Sequence, residues 1–403
     1  MSASTGIRQW ALKYPDLGTG PVPVEPCLSS DYYENERERI FRRVWLNVAR
    51  EDEIPAAGDY IVCNIEVIGS SILIVRGRDG RIRAFHNVCS HRGNKVATDS
   101  RGQCRTFVCG FHGWAYDLEG ALSHVPDEEN FFGLDRAACG LKPVAAGTWE
   151  GFVFINLNPE PEQPLDAFIG EWGEALEGYP FDAMALRHHY RAEIKVNWKV
   201  AMDAFQEAWH ARFVHKRSGG AAYASRENPY IHALEFKLFP LHRMMSVPGN
   251  PEFTPTPLQG VAHRFGSSYI KMEEYETRLP KGVNPQRSPL WMFDSNYVFP
   301  NFSLFVFGDM FFTYHFWPLA VDRTLWETKT YYPEPGNAGE LFSQEYAKCA
   351  LRDTWLEDLS TLENIQAAIS SGTIDHFILQ DQEILVRHSH KVIADHVEQP
   401  AAR

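Results

Sequence analysis

The sequence predicts an α+β protein, with a small all-β module set near the N-terminus of a larger domain of helices and antiparallel strands. Three observations carry this. Between residues 46 and 158, short β-rich runs such as "DYIVCNIEVIGSSILIVRG" and "GFVFINLN" are separated by glycine turns at Asp79-Gly80 and Glu119-Gly120. The Pro-rich stretch "NPEPEQP" (158–164) then breaks the chain. Beyond it, helical and strand patterns mix. The parts expected are an arm and helix (1–45) packing on the larger domain, the β module (46–158) and the larger domain itself (159–403).

The elements follow in order. Residues 1–28 are rich in Pro and Gly and read as an extended arm. "SSDYYENERERIFRRVW" (29–45) reads as a helix with Ser29 or Ser30 as N-cap and Phe41 and Trp45 facing inward. In the larger domain, "NWKVAMDAFQEAWHARFVH" (197–215) reads as one helix. "NFSLFVFGDMFFTYHFWPL" (301–319) reads as two strands joined at Gly308-Asp309. "DTWLEDLSTLENIQAAISSG" (353–372) reads as a long helix closed by Gly372.

Composition narrows the function classes. The chain has 403 residues and a net charge of −13, which argues against nucleic acid and anionic membrane as general partners. No apolar run approaches the ~18 residues of a membrane span. The first twenty residues hold no apolar signal core. Seven cysteines (Cys27, Cys63, Cys89, Cys104, Cys109, Cys139 and Cys349) are an odd, scattered set, poor as a disulfide framework. A reducing, cytoplasmic setting is expected, where clustered Cys and His more often bind metal.

One such cluster lies in "CSHRGNKVATDSRGQCRTFVCGFHGW". Cys89-x-His91 and Cys109-x-x-His112 each supply one thiol and one imidazole. Structural zinc sites usually group like ligands around one tetrahedral centre. A mixed pair from each loop instead suits two bridged irons, with thiolates on one and imidazoles on the other: a Rieske [2Fe–2S] centre. Cys104 lies outside this spacing and reads as an idle thiol. Zinc remains the alternative.

A second set follows in "EAWHARFVH". Glu207 and His210, three apart, share a helix face. His210 and His215, five apart, reach one metal only if the helix ends or bulges between them. Two histidines and a carboxylate with open positions form the facial triad of non-haem Fe(II) oxygenases. The bland alternative is two packed or capping histidines beside Trp209 and Phe213. On the 353–372 helix, Asp358 falls about 60° from Trp355, within the stripe of Trp355, Leu359, Leu362 and Ile365. Asp353 and Glu357 fall about 160° away, on the far face. An inward carboxylate needs a partner, and a ferrous ion is one.

"CSHRGN" and "CGFHGWAYD" closely resemble the cluster loops of Rieske-type ring-hydroxylating oxygenases, specifically their alpha, or terminal oxygenase, subunits. The resemblance runs from "FRRVWLNVAR" through "FHNVCSHRGN" to the C-terminal helix. It implies a Rieske domain inserted near the N-terminus of a helix-grip-like catalytic domain with an antiparallel sheet. It implies a mononuclear Fe(II) on His210, His215 and Asp358, the last matching the family's "ED" context in "WLEDLSTLE". Glu207 is then left over as an electron-transfer bridge from His210 to His112 of a neighbouring subunit. One departure is visible: many members carry Asn-Phe before this segment, where this chain has Ala204 and Phe205.

The implied function is terminal oxygenase of a multicomponent system. O₂ is co-substrate, and electrons come from NAD(P)H through a reductase and ferredoxin. The implied reaction is cis-dihydroxylation or monooxygenation of a small apolar aromatic or polycyclic substrate. Demethylation or desaturation on the same scaffold is the alternative, and a non-catalytic Rieske electron-transfer protein the alternative from another class. A homotrimer is implied, with a β subunit left open. Nothing resembles G-x-G-x-x-G, so no nicotinamide or flavin site is expected in this chain.

Three further features stand out. Residues 76–105 hold Arg76, Arg78, Arg81, Arg83, Arg92, Lys95, Arg101 and Arg105 against Asp79 and Asp99, a local +6 that suits an acidic ferredoxin or, equally, solvated loops. The ten aromatic residues from Tyr297 to Trp317 read mainly as strand core, with some lining a cavity. His188, His189, His388 and His390 read as surface residues.

Overall fold

The structure, a computed structural model, describes residues 9–266 and 279–398. The chain forms two compact units, Arg37–Ile169 and the remainder on either side of it. The first is wider at both ends than the 46–158 module read from sequence.

The smaller unit is built on a seven-stranded antiparallel sheet. Its strands are β1 (Leu46–Arg50), β2 (Asp59–Ile65), β3 (Ser70–Arg76), β4 (Ile82–His86), β5 (Arg101–Gln103), β6 (Pro143–Trp149) and β7 (Phe152–Asn156), in spatial order β1-β7-β6-β4-β3-β2-β5. β3 is an interior strand, and Ile72, Leu73, Ile74 and Val75 are all fully buried, which is why it reads as an unbroken apolar run. A three-stranded sheet (107–108, 115–116 and 122–124) lies beside it. The turn before Leu122 requires Gly120: its φ is +85°, and a Cβ there would meet the Phe85 ring at 2.4 Å.

The larger unit holds a second seven-stranded antiparallel sheet: β8 (Ala185–Ile194), β9 (Glu235–Leu238), β10 (Arg243–Pro248), β11 (Trp291–Val298), β12 (Phe302–Val306), β13 (Phe311–Ala320) and β14 (Arg323–Tyr332). The spatial order is β8-β14-β13-β12-β11-β10-β9. β12 and β13 pair with Phe305 opposite Phe312 and Leu304 opposite Thr313, and the turn carries Gly308-Asp309 as the sequence implies. The helices named here are α1 (Ser30–Glu36), α2 (Trp198–Asp203), α3 (Ala211–Val214), α4 (Ala338–Ile369) and α5 (Ile384–Glu398).

Several sequence expectations change in detail. The 29–45 helix is α only to Glu36 and continues as a π-turn to Phe41; Ser29 Oγ accepts the Tyr32 amide as a cap. Trp45 lies beyond it, buried, its indole N–H donating to the Gln163 carbonyl at 2.9 Å. The described part of the N-terminal arm is not wholly extended, since Gln9–Lys13 is a short helix. The helix read at 353–372 is the second half of α4, which starts from an Asn337 cap and ends at Ile369 with Ser370 as its C-cap; Gly372, the expected cap, follows two residues later at φ +72°.

Two corrections matter for the site. The single helix expected over 197–215 is broken into α2 and α3 by an irregular stretch. Side chains claim the backbone there: the Tyr297 hydroxyl donates to the Phe205 carbonyl, and Glu207 Oε2 accepts the His210 amide at 3.0 Å. Second, His388 and His390 are buried, at 7% and 9% exposure, not surface residues. α5 is buried along its whole first half, and His390 Nε2 lies 2.7 Å from Asp203 Oδ2. On β8, His188 is half-buried, whereas His189 is exposed as the sequence suggests and pairs with Glu327 at 2.6 Å.

Candidate functional site

In the smaller unit, Cys89, His91, Cys109 and His112 converge. Their loops use the same backbone device. Cys89 donates its amide to Asn94 at 2.7 Å and accepts from Gly93 at 2.9 Å; Cys109 donates to Trp114 at 2.8 Å and accepts from Gly113 at 3.0 Å. Gly93 and Gly113 both have positive φ, as such tight returns require. Both thiols are 2% exposed. The two imidazole rings meet edge to face with centroids 4.7 Å apart, and His91 stacks on Trp114 at 5.0 Å.

The donor set fits a two-iron cluster. Burial raises the Cys109 thiol, but the Phe111 amide and Asn94 side chain more than offset this, and the net shift is downward, toward thiolate. His91 Nδ1 is a buried nitrogen with no hydrogen-bond partner, as a metal-facing atom would be. The Tyr116 hydroxyl lies 3.2 Å from Cys89 Sγ while accepting the Ser90 amide at 3.0 Å. Cys104 stays outside this group and packs against the surrounding core.

The basic segment is less free than its composition suggests. Arg76 is tied to the Ile54 and Gly80 carbonyls and to Glu51, and Arg83 makes a double contact with Asp79 at 2.8 Å. Glu51 and Glu53, outside the counted window, offset Arg76 and Arg101. Arg92 lies over the exposed Phe111 ring at 5.3 Å, beside the cluster loops.

In the larger unit, the broken helix and α4 bring His210, His215 and Asp358 together. One donor atom from each lies within 4.8 Å of the others. Asp358 Oδ1 stands 3.2 Å from His215 Nε2 and 3.6 Å from His210 Nε2. Asp358 is 4% exposed, on the inner face read from the helical period. Among the described residues it makes no ion pair with Lys or Arg, and its charged-group partners are the two imidazoles. A divalent ion fits this set: neutral imidazoles with a buried carboxylate are its usual donors. Glu207 Oε1 lies 2.5 Å from His210 Nδ1. Burial disfavours the charged imidazole, but the Glu207 carboxylate outweighs it and His210 is pushed up to about 9.

Sequence reading missed one partner. Glu357, placed on the far face, has Oε2 3.1 Å from His215 Nδ1 and accepts the Ser218 hydroxyl at 2.5 Å. A helical wheel gives direction only; it does not show that the 215–218 segment covers that flank of α4.

The three residues line a cavity of about 90 Å³. Its walls include Phe205, Phe293, Phe305, Phe307, Phe312 and Trp355, and no Lys or Arg is among the described residues lining it. A second cavity shares Tyr223, Phe307, Leu351 and Thr354 with it and is lined by Lys216 and Arg217.

Fold and sites together define a protein of two centres: a pair of thiol–imidazole loops in a β module, and an open His–His–Asp set in an α+β domain. The chain belongs to the ring-hydroxylating alpha subunit family: the pattern described as "Ring hydroxylating alpha subunit (catalytic domain)" matches residues 181–399, and that of the "Rieske [2Fe-2S] domain" matches 44–143.

Among relatives, the carnitine monooxygenase oxygenase subunit of Escherichia coli K12 is 33% identical over 195 residues, covering 48% of this chain and 52% of that one. The biphenyl 2,3-dioxygenase alpha subunit of Rhodococcus jostii is 34% identical over 211 residues, covering 51% and 45%. The chain thus spans about half the length of the curated relatives it matches. Of solved structures, a quaternary ammonium Rieske monooxygenase aligns with TM-score 0.76 at 19% identity over 94% of this chain and 95% of that one. Naphthalene 1,2-dioxygenase from Rhodococcus sp. aligns with TM-score 0.74 at 22% identity over 98% and 99%. These structural likenesses establish the fold.

Proposed function

We propose that the chain is the terminal oxygenase of a multicomponent Rieske non-haem iron system, an oxidoreductase using O₂ and electrons passed from NAD(P)H through a reductase or ferredoxin. One observation carries this reading: an open His210–His215–Asp358 set borders a cavity walled largely by aromatic rings, in a chain that also holds the Cys89–His91–Cys109–His112 loops. A pure electron-transfer protein has no use for a buried carboxylate facing two imidazoles beside an aromatic-walled cavity.

In this reading Cys89, Cys109, His91 and His112 hold the [2Fe–2S] cluster, and His210, His215 and Asp358 hold Fe(II). When bound, that iron supplies the activation of O₂. The chain's own residues do the rest. The aromatic walls hold an organic substrate beside the triad and exclude water. Glu207 orients the His210 ring from behind and takes the electron-bridging role that the resemblance implies. Oligomeric assembly, with a trimer as the family resemblance implies, belongs to the same proposal.

For the substrate, the first reading is an apolar aromatic or polycyclic body, since aromatic side chains make up much of the wall and no Lys or Arg is among the described residues lining it. A quaternary ammonium substrate is the second reading. Aromatic faces bind such cations, and Glu207 and Asp358 also line the cavity. Relatives act on carnitine and glycine betaine, which carry a carboxylate as well, and Lys216 and Arg217 line the adjoining cavity.

The test has two stages. Loaded protein should hold about three irons per chain with acid-labile sulfide and little zinc; stoichiometric zinc without sulfide refutes the oxygenase reading. Product analysis with indole, biphenyl, carnitine and glycine betaine, using a surrogate reductase, then decides the substrate class.

A further inference from the structure

We propose that Glu357 is a positioning residue that fixes the His215 ring and its tautomer for metal binding. This rests on the reading of His210, His215 and Asp358 as a metal centre. Glu357 and Asp358 are consecutive on α4, so their side chains leave the helix about 100° apart. The His215 ring stands between them. Its Nδ1 is 3.1 Å from Glu357 Oε2, and its Nε2 is 3.2 Å from Asp358 Oδ1.

A neutral imidazole has one N–H and one lone pair. A carboxylate can only accept, so Glu357 takes the Nδ1–H and leaves the lone pair on Nε2. That is the nitrogen facing Asp358 and His210. Glu357 is itself held: Ser218 Oγ donates to the same Oε2 at 2.5 Å. The arrangement repeats at the other histidine, where Glu207 Oε1 is 2.5 Å from His210 Nδ1. Each ring therefore carries a carboxylate on Nδ1 and turns Nε2 inward. Two such anionic partners also make both imidazoles better donors to a cation.

Only one of the two contacts is local in sequence. Glu207 precedes His210 by three residues, whereas Glu357 lies 142 residues from His215. A bland alternative exists: a half-exposed carboxylate meeting a histidine as an ordinary ion pair.

The experiment measures metal affinity, not turnover. Cluster-loaded protein is stripped of mononuclear iron by chelation and titrated anaerobically with Fe(II). Glu357→Ala should weaken binding roughly 10- to 100-fold, with the cluster's visible absorption and the thermal midpoint unchanged. Glu357→Gln keeps an oxygen that accepts from Nδ1 and should recover most of the affinity. Wild-type affinity in Glu357→Ala overturns the proposal. So does weakened binding that comes with lost thermal stability and is not rescued by Gln. His210→Ala separates the two readings. If it too binds Fe(II) like wild type, the metal centre itself is wrong; if it fails to bind while Glu357→Ala binds normally, only the role of Glu357 is wrong.

Discussion

Arg243 Nε donates to Gln206 Oε1 deep inside the larger unit, where the two residues are 1% and 0% exposed. Gln206 directly precedes Glu207, so this bond helps hold the irregular stretch between α2 and α3. The guanidinium also donates from Nη2 to Ser389 Oγ of α5 at 2.8 Å. Burial lowers Arg243 to about 10, still charged at neutral pH.

Arg243→Met should therefore do more than loosen the core. It leaves Gln206 Oε1 without its donor and costs on the order of 3 kcal/mol. A stretch loosened beside Glu207 should also retain less mononuclear iron. Thermal unfolding and iron content after gel filtration check this. A variant with wild-type stability and iron content would show that the stretch is held by Tyr297 and the Phe205 carbonyl instead.

Lys199 and Glu36 form a second buried device, with Nζ 2.5 Å from Oε1 and side chains 1% and 0% exposed. The Trp198 indole N–H donates to the other carboxylate oxygen at 2.9 Å. This ties α1 to α2. Lys199→Met alone strands a buried carboxylate and should cost about 3–5 kcal/mol. Adding Glu36→Gln removes the charge but keeps an acceptor for Trp198, so the double variant should be more stable than the single one. Chemical denaturation of the three proteins measures this, and a double variant weaker than the single would refute it.

The legible and illegible parts of the sequence separate on physical grounds. The cluster loops could be read because C-x-H and C-x-x-H with glycines are short-range: Gly93 and Gly113 close each loop around its own cysteine. Asp358 could be read because the helical period tells which side chains of α4 face inward. The break in the 197–215 helix could not, because its cause is distant. The hydroxyl of Tyr297 and the guanidinium of Arg243 come from strands far along the chain. His388 and His390 look polar enough for a surface, but Asp203 and Arg243 await them inside. Glu357 was lost for the same reason, since its partner is 142 residues away.

His388 gives a pH prediction. It is 7% exposed, and burial, with Arg243, His242 and Lys391 nearby, pushes it down to about 3, while a backbone hydrogen bond involving Phe239 opposes the shift. In the unfolded chain it titrates near 6.5. The folded state keeps the ring neutral while the unfolded state takes up a proton, so its contribution to stability is present above about pH 6.5 and is lost as pH falls toward 3. His388→Phe removes this group. Relative to wild type, the variant should gain stability between pH 7 and pH 5. A constant difference in unfolding free energy across that range would mean that His388 does not titrate on unfolding.

Tyr116 gives the last prediction, on the cluster. Its hydroxyl oxygen is occupied by the Ser90 amide, so its proton is left to point at Cys89 Sγ, 3.2 Å away. A hydrogen bond to a cluster sulfur withdraws electron density and favours the reduced, more negative state. Asn94 Nδ2, at 3.7 Å from Cys109 Sγ, is a longer contact and should matter less. Tyr116→Phe removes only the hydroxyl, and the ring still fills its fully buried place between β-module side chains. The variant should keep its cluster and its fold, and its reduction potential should drop, measured by film voltammetry at fixed pH. Asn94→Ala should produce a smaller drop. Equal potentials in wild type and Tyr116→Phe would show that the hydroxyl serves the Ser90 amide alone and that the thiolate is tuned by the loop amides around Cys109.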